Sequence, residues 1–472
     1  MSIQRLLVTT AILGLPLTVF PVRALAQSSP VSNEALLKRI DELEQKIKVL
    51  ERKQELSDEA AGERAKAAPL VSAGSGGFVI QSADTNFVLK VRAHVQADGR
   101  YYPGDHAAGT ANDTFLMRRV RPILEGSLYQ KFDYRLMLDF GSGLNASAQN
   151  IGFVQEAYLN AKLWPQFQIQ AGKFKEPVGL ERMQTDANLM FTERGYPTQL
   201  VPNRDVGIQL QGDLLDGTLS YAAGVFNGTT DGGSDDVEIA DDDKDVAGRL
   251  FARPFKNTDI VALQNLGIGV GGTYGNQEGS VSKYVSPGQQ QFFSYRSGSG
   301  AGVPNVVSDG AHWRVTPQGY YYYGPFGLFG EYVISNTRVR QAGGGAGAGS
   351  FASLQNTAWQ VAGSYFITGE DNGWIPSSPR KPLNFNGEGW GALELVARFG
   401  QLDLDKDTFP IYASAATSAQ QAASWGVGLN WYLNKNIKTS LDYEQSDFKG
   451  GDSNPLASNG EKVILTRFQF IF

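Results

Sequence analysis

The chain has 472 residues, a formal net charge of −6 and no cysteine. The missing cysteines exclude disulfides and cysteine redox chemistry, and the acidic balance argues against nucleic acid as a partner. A content of 42% apolar residues is typical of a soluble protein. Strands that alternate apolar and polar residues can nevertheless cross a membrane without raising the apolar content.

The N-terminus is typical of a secretory signal peptide. Arg5 precedes an apolar run from Leu6 to Phe20, and the small-residue motif Ala24-Leu25-Ala26 follows. Because the run is shorter than the ~20 residues that a spanning helix needs, we predict cleavage after Ala26 rather than a membrane anchor. Removing residues 1–26 takes away two arginines and no acidic residue, so the mature charge falls from −6 to −8.

A helical pattern comes next. Apolar residues separated alternately by four and three positions stand among charged residues, namely Leu36, Ile40, Leu43, Ile47 and Leu50. They predict a helix from about Asn33 to about Leu56, within a segment of residues 27–59. It is either an amphipathic helix packed on another element or a short periplasmic coiled coil between copies. We favour the coiled coil because so narrow a seam buries little by itself. Residues 60–77, rich in Ala, Gly and Ser, are interpreted as a linker.

From Phe87 onward the period becomes two. Apolar side chains alternate with polar ones over residues 89–98, and the pattern returns at residues 134–140, 393–399 and 425–431. Aromatics near strand ends, short turns and long polar loops accompany it, which favours a membrane barrel over a soluble sandwich. We therefore predict an all-β fold, with residues 78–472 forming a transmembrane antiparallel β-barrel of about 16 strands; about fourteen or eighteen would also fit.

The C-terminal strand is the most specific fold signal. Five side chains share one face of it, namely Ile464, Thr466, Phe468, Phe470 and the terminal Phe472. A final strand that ends on Phe resembles the assembly signal of bacterial outer-membrane barrels. We expect location in the outer membrane, with lipid and lipopolysaccharide as partners.

Three arginines are crowded onto one predicted strand, at Arg118, Arg119 and Arg121. An arginine facing lipid near the midplane costs ~2–4 kcal/mol, so these side chains should face the lumen or an interface. A lumenal cluster would attract oxyanions. The alternative is pairing across the wall with acidic residues such as Glu125, Asp139 and Glu156.

The segment from Lys175 to Asp205 lacks strand periodicity and is predicted to be a long loop. Long loops in compact proteins are uncommon unless they serve a function. In a wide barrel the natural use is inward folding to form a constriction. A lid on the extracellular side is the alternative.

Several blocks resemble the phosphate-selective porin O and P family of Gram-negative outer membranes. They span most of the predicted barrel: Gly172–Glu181, Phe191–Arg194, Arg204–Gln209, Phe366–Glu370, Gly391–Leu395 with Arg398, and Leu429–Leu433. The resemblance implies a homotrimer of about 16-stranded barrels, each with its own pore narrowed by infolded loops.

The resemblance also implies an anion-binding constriction. In the family, anions bind between paired arginines, a basic residue after Gly-Leu-Glu, two hydroxyls and a further arginine. By position, Arg118 and Arg119 correspond to the paired arginines, Arg182 to the basic residue and Arg194 to the further arginine.

Other positions depart from the family pattern. Thr185 and Asp186 stand at the two hydroxyl positions, Gln155 replaces an acidic residue, and Asp133 replaces a lysine. An arginine-rich outer loop is not evident over residues 281–302. The resemblance therefore implies a general anion preference more firmly than phosphate specificity.

We expect a porin for passive diffusion of small anions, with phosphate and related oxyanions as candidate solutes. A general diffusion porin without phosphate specificity and a structural tether between outer membrane and cell wall remain alternatives. His94, His106 and His312 lie in no catalytic motif, so we predict no enzyme activity, catalytic residue, cofactor or metal. The acidic stretch from Asp231 to Asp245 is interpreted as a solvated surface loop, with divalent ions bridging lipopolysaccharide as the alternative.

Overall fold

The computed structural model describes residues 32–104, 112–141, 153–234, 242–299 and 302–472. The predicted signal peptide and residues 235–241 of the predicted acidic loop lie outside these ranges. The chain divides at Ala68 into two compact units. Among the described residues, no helix is both long and apolar enough to cross a membrane.

The described part of the first unit, residues 32–68, contains one helix, α1 (Asn33–Ala67). The predicted linker at residues 60–77 is wrong at both of its ends, because α1 continues to Ala67 and a strand hairpin begins at Leu70. Alanine has the highest helix propensity, and the charged residues between the alanines are also good helix formers. Within the single chain the apolar seam is exposed, with Leu43 49% and Ile47 52% accessible.

Strands dominate the second unit. Within the described ranges they are β1 (Leu70–Gly74), β2 (Gly77–Gln81), β3 (Phe87–Tyr101), β4 (Thr114–Leu128), β5 (Phe132–Asp139), β6 (Phe153–Trp164), β7 (Phe167–Lys175), β8 (Arg204–Leu214), β9 (Leu219–Phe226), β10 (Asp245–Ala252), β11 (Leu266–Gly279), β12 (Lys283–Val285), β13 (Gln291–Ser294), β14 (Val306–Tyr323), β15 (Phe326–Gln341), β16 (Phe351–Phe366), β17 (Ala392–Asp403), β18 (Gln421–Tyr432), β19 (Ile437–Lys449) and β20 (Glu461–Ile471).

Sixteen of these strands close into an antiparallel barrel, which confirms the predicted fold. Strands β3–β11 and β14–β20 each pair with their neighbours in this order, and β20 pairs with β3. The β1–β2 hairpin adds to the free part of the β3 edge. Phe472 exchanges two backbone hydrogen bonds with Ala93, both of 3.1 Å. The last residue of the chain therefore takes part in closing the barrel.

The faces of the strands follow the predicted alternation. On β3 the buried side chains are His94, Gln96, Asp98 and Arg100. On β20 Arg467 is buried, whereas Phe468 is 50% exposed. Polar side chains therefore line the lumen and apolar ones face outward, as a membrane barrel requires.

Two segments fold into the lumen. The first, residues 176–203, joins β7 to β8 and holds α2 (Leu180–Met183) and the 3₁₀ turns Asp186–Asn188 and Tyr196–Gln199. The second, residues 280–299 and 302–305, holds the β12–β13 hairpin. Gln199 joins them, because its amide donates to the Val285 carbonyl (2.8 Å) and its carbonyl accepts from the Val285 N–H (3.2 Å). Buried apolar side chains of both segments lie in one cluster, including Val178, Tyr196, Leu200, Phe292 and Phe293.

The acidic loop between β9 and β10 is only partly solvated. The prediction of a solvated loop is wrong at both ends of the stretch. The Asp231 side chain is 3% exposed and accepts from Arg314 Nε (2.7 Å), and Asp245 is fully buried with its carboxylate 3.6 Å from Arg314 Nη1. His312 Nε2 also lies 3.1 Å from the Asp231 carboxylate. Arg314 is fully buried in the wall and requires carboxylate partners, which explains why the acidic residues at the two ends of the stretch are buried.

Candidate functional site

A β-bulge on β4 presents two consecutive arginines to the lumen. Arg119 lies opposite Gln96 on β3, and Met117 lies opposite Ala97, so Arg118 is the extra residue. A bulge breaks the strict alternation of faces, and Arg118 and Arg119 both reach carboxylates of the infolded segment. Gly141 lies beside the bulge, where an added Cβ would come within 2.6 Å of the Arg118 carbonyl oxygen.

A second bulge lies two strands away on β6. Glu156 faces Met137 and Val154 faces Leu138, which leaves Gln155 as the extra residue. Gln155 and Glu156 are both buried. At each bulge two adjacent polar residues are directed into the barrel, whereas a regular strand would direct only one of the two inward.

Glu193 of the infolded segment binds Arg118 through two hydrogen bonds, to Nε (2.6 Å) and Nη2 (3.1 Å). Two further guanidiniums lie close to the same carboxylate, those of Arg100 (3.4 Å) and Arg467 (3.6 Å). Burial alone would raise the pKa of Glu193, but the positive charges of Arg118, Arg467 and Arg119, led by Arg118, lower it. The carboxylate fixes the segment to three strands of the wall.

Asp186 lies among three guanidiniums. Its Oδ2 accepts from Arg121 and lies 3.5 Å from Arg119 Nε, and its Oδ1 accepts from Arg194. The side chain is 4% exposed. Burial raises its pKa, but Arg119 and Arg194 outweigh that effect and hold the pKa of Asp186 well below its usual range. A permanently ionised carboxylate thus occupies the centre of the cluster.

Arg182 and Lys175 are two cations of the site that bind backbone carbonyls and, within the described ranges, have no carboxylate within 4.0 Å. Arg182 donates to the Thr198 carbonyl, and its Nε has no hydrogen-bond partner. Lys175 donates to the Gln184 carbonyl (2.7 Å). Because a carbonyl carries no negative charge that could compensate a guanidinium, Arg182 contributes to a positive potential in the lumen.

Two cavities are lined by the guanidiniums that surround Asp186. The first, of about 710 Å³, opens among the long loops and is lined by Arg118, Arg119, Arg182 and Arg194. The second, of about 600 Å³, lies toward the short turns and is lined by Arg121, Lys175, Thr185 and Asp186, among others. Asp186 therefore bridges Arg121 of one cavity and Arg119 and Arg194 of the other.

The structure brings together most of the residues that the sequence singled out. Arg118, Arg119, Arg182 and Arg194 share a cavity, and Thr185 is exposed in the other one. Gln155 lines neither cavity.

The alternative interpretation, pairing with acidic residues across the wall, holds for Arg121 with Asp139 (2.6 Å), whereas Glu156 pairs with Arg135 and Arg204. Glu125 instead binds Arg92 and Arg135. Sequence reasoning missed Glu193 as a site residue, although its place beside Arg194 in a segment without strand pattern was a signal.

Comparisons with known proteins agree with this architecture. The family described as "Phosphate-selective porin O and P" matches residues 89–472. Porin O of Pseudomonas aeruginosa is 22% identical over 434 residues, covering 86% of this chain and 93% of the relative. Among solved structures, the channel DcaP of Acinetobacter baumannii superposes with a TM-score of 0.50 at 10% identity, covering 81% of this chain and 97% of that one. An anion-selective porin from Comamonas acidovorans gives 0.49 at 13% identity, with 81% and 99% coverage.

Proposed function

This chain belongs to the phosphate-selective porin O and P family and is an outer-membrane porin, and from that premise we propose that its pore prefers small anions. The observation that carries the proposal is the cavity lined by Arg118, Arg119, Arg182 and Arg194. Guanidiniums stay charged at any relevant pH and form fork-shaped hydrogen bonds to carboxylate and phosphate.

Arg182 contributes most directly to this preference. Arg118 and Arg119 are partly neutralised by Glu193 and Asp186, whereas Arg182 faces the same cavity and binds a carbonyl. Its field is therefore available to a passing anion. Lys175 lines the second cavity.

The test is the reversal potential across a salt gradient in planar bilayers. Wild type should be chloride-selective, and Arg182→Gln should lower the anion-to-cation permeability ratio by about two- to tenfold, since each removed lumenal charge changes the local potential. Arg380→Gln is the matched control, because Arg380 is exposed and pairs with Asp371. A cation-selective wild type, or equal effects of the two variants, would contradict the proposal.

Phosphate specificity is the narrower form of the proposal. The family is described as phosphate-selective, but Asp186 places a negative charge among the arginines that would hold phosphate. A general anion-preferring diffusion pore therefore fits the geometry better than a phosphate-selective one.

The oligomeric state and the role of α1 belong to the proposal as well. The exposed seam from Leu36 to Leu50 supports a coiled coil between copies, and we propose a homotrimer whose outward apolar faces contact lipid and lipopolysaccharide. A tether to the cell wall through α1 is the alternative role. Deleting residues 28–54 and assaying envelope integrity separately from conductance distinguishes the two.

The proposal includes no enzyme activity. His94 and His312 are buried in hydrogen-bond networks of the wall, and His106 lies outside the described ranges. A catalytic base needs access to a substrate and a nucleophile in reach. Solute passage is therefore the proposed activity.

A further inference from the structure

We propose that the Asp186 carboxylate is a built-in anion that already occupies the oxyanion position of the constriction, so that the pore passes oxyanions without retaining them. The inference rests on the proposed anion preference and extends it to the affinity of the site. Asp186 is thus a residue that determines specificity.

The contacts of Asp186 are those of a bound oxyanion. Each carboxylate oxygen accepts from a different guanidinium, Oδ1 from Arg194 and Oδ2 from Arg121. Arg119 Nε approaches Oδ2 to 3.5 Å. Charge-assisted hydrogen bonds from several guanidiniums are how proteins hold free carboxylate and phosphate. The cluster is therefore competent to enclose one oxyanion and is filled from within the chain.

The wall and the segment hold this arrangement together. Arg119 and Arg121 come from β4, whereas Asp186 and Arg194 come from the infolded segment. Gln96 of β3 donates to the Asp186 backbone carbonyl (3.3 Å) and to Gln469 of β20 (2.6 Å), and its own carbonyl accepts from Arg119 (2.6 Å). The carboxylate is thus positioned from both sides and is no chance contact of a loose loop.

Asp186 lines the second cavity, and its guanidinium partners belong to both cavities. Arg119 and Arg194 line the first cavity, and Arg121 lines the second. An anion that moves from one cavity to the other meets guanidiniums already bound to a carboxylate. It must displace Asp186 or share its donors, and the tethered group competes at a high effective concentration.

The consequence is weak binding and fast passage. Removing the charge at Asp186 while keeping the arginines should convert the constriction into an oxyanion trap. Charge-assisted hydrogen bonds contribute enough affinity that inorganic phosphate should bind about ten- to a hundredfold more tightly to such a variant.

The experiment measures block of chloride current by added inorganic phosphate in planar bilayers. Asp186→Asn keeps the size of the side chain and removes its charge. Glu125→Gln is the matched control, because it also removes one carboxylate, but one that binds Arg92 and Arg135 rather than the arginines around Asp186. We expect the half-blocking phosphate concentration to fall at least about tenfold in Asp186→Asn and to stay close to wild type in Glu125→Gln. Equal shifts in both, or none in Asp186→Asn, would overturn the inference.

Two further variants keep the test decisive. Asp186→Glu retains the carboxylate and should retain weak block, whereas Asp186→Ser should show the same tight block as Asp186→Asn. If a neutral variant fails to fold alone, its refolding in the presence of phosphate is measured in place of the block assay. We then expect phosphate to restore folding and chloride at equal ionic strength not to do so. Absence of that rescue would refute the built-in anion. The reversal potential of wild type decides the anion preference separately.

Discussion

At the scale of single residues, the site is a set of buried charges that compensate one another. Glu193 is shared by Arg118, Arg100 and Arg467, and Asp186 by another three arginines. Breaking a buried pair costs more than the pair contributes, because it leaves a charge without a counterion. The carboxylates are therefore as necessary to the pore as the arginines.

Glu193→Gln tests this view. Three guanidiniums would lose their shared counterion, so the free energy of unfolding in detergent should fall by about 3–5 kcal/mol. Added phosphate should restore part of this loss, because an anion that binds only the folded state stabilises it. Urea titrations with and without phosphate measure both effects. Glu125→Gln is the control, and a phosphate effect of equal size in the control would argue against the interpretation.

At the scale of elements, the infolded segment begins with a buried acid. Glu176 is fully buried directly after β7, and neither carboxylate oxygen has a hydrogen-bond partner within the described part of the chain. Burial, and then the negative charges of Asp205 and Asp245, raise the pKa of Glu176 well above its usual range, although Arg314 opposes them. The start of the segment thus carries a group that destabilises the folded state when the pH is high.

The sign of the pH effect follows from linkage. Above the unfolded pKa of about 4.3, the unfolded chain loses this proton while the folded chain keeps it. Stability is then lost as the pH rises toward the raised pKa of Glu176. Glu176→Gln should raise the melting temperature more at pH 8 than at pH 5. Thermal unfolding at both pH values measures this, with Glu59→Gln on the exposed α1 as control; the same difference at both pH values would be inconsistent with a raised pKa.

Features of an element that depend on neighbouring residues could be predicted from the sequence, and features that depend on distant residues could not. The alternation along β3 and β20 is a property of consecutive residues, so it predicted both the strands and their faces. The bulge at Arg118 depends on register with β3, and the contact of Asp186 with Arg121 spans 65 positions. Neither leaves a pattern in neighbouring residues. The sequence therefore predicted which residues matter but not which of them touch.

At the scale of the whole molecule, the barrel and α1 have different requirements. The barrel satisfies its backbone hydrogen bonds by closing on itself, through β20 and β3. Its 16 strands were predictable from length and turn spacing. The seam of α1 stays exposed within one chain, so its burial requires another surface.

Leu43→Asp tests the proposed coiled coil. A charge in the seam should weaken association of the copies, lowering the temperature at which the oligomer dissociates in detergent, while the conductance of each pore stays unchanged. Val49→Asp makes the same chemical change at an exposed position off the seam and should have little effect. Native gel electrophoresis over a temperature series measures dissociation, and equal sensitivity of both variants would exclude a specific seam.

The bulge on β4 has a consequence for how such pores diversify. Above and below Arg118, each outward side chain of β4 still lies opposite an outward one of β3. Insertion or deletion of one codon there would add or remove a lumenal cation while the lipid-facing surface kept its composition. Insertion or deletion of a single residue within a strand is therefore a route by which related barrels acquire different solute preferences.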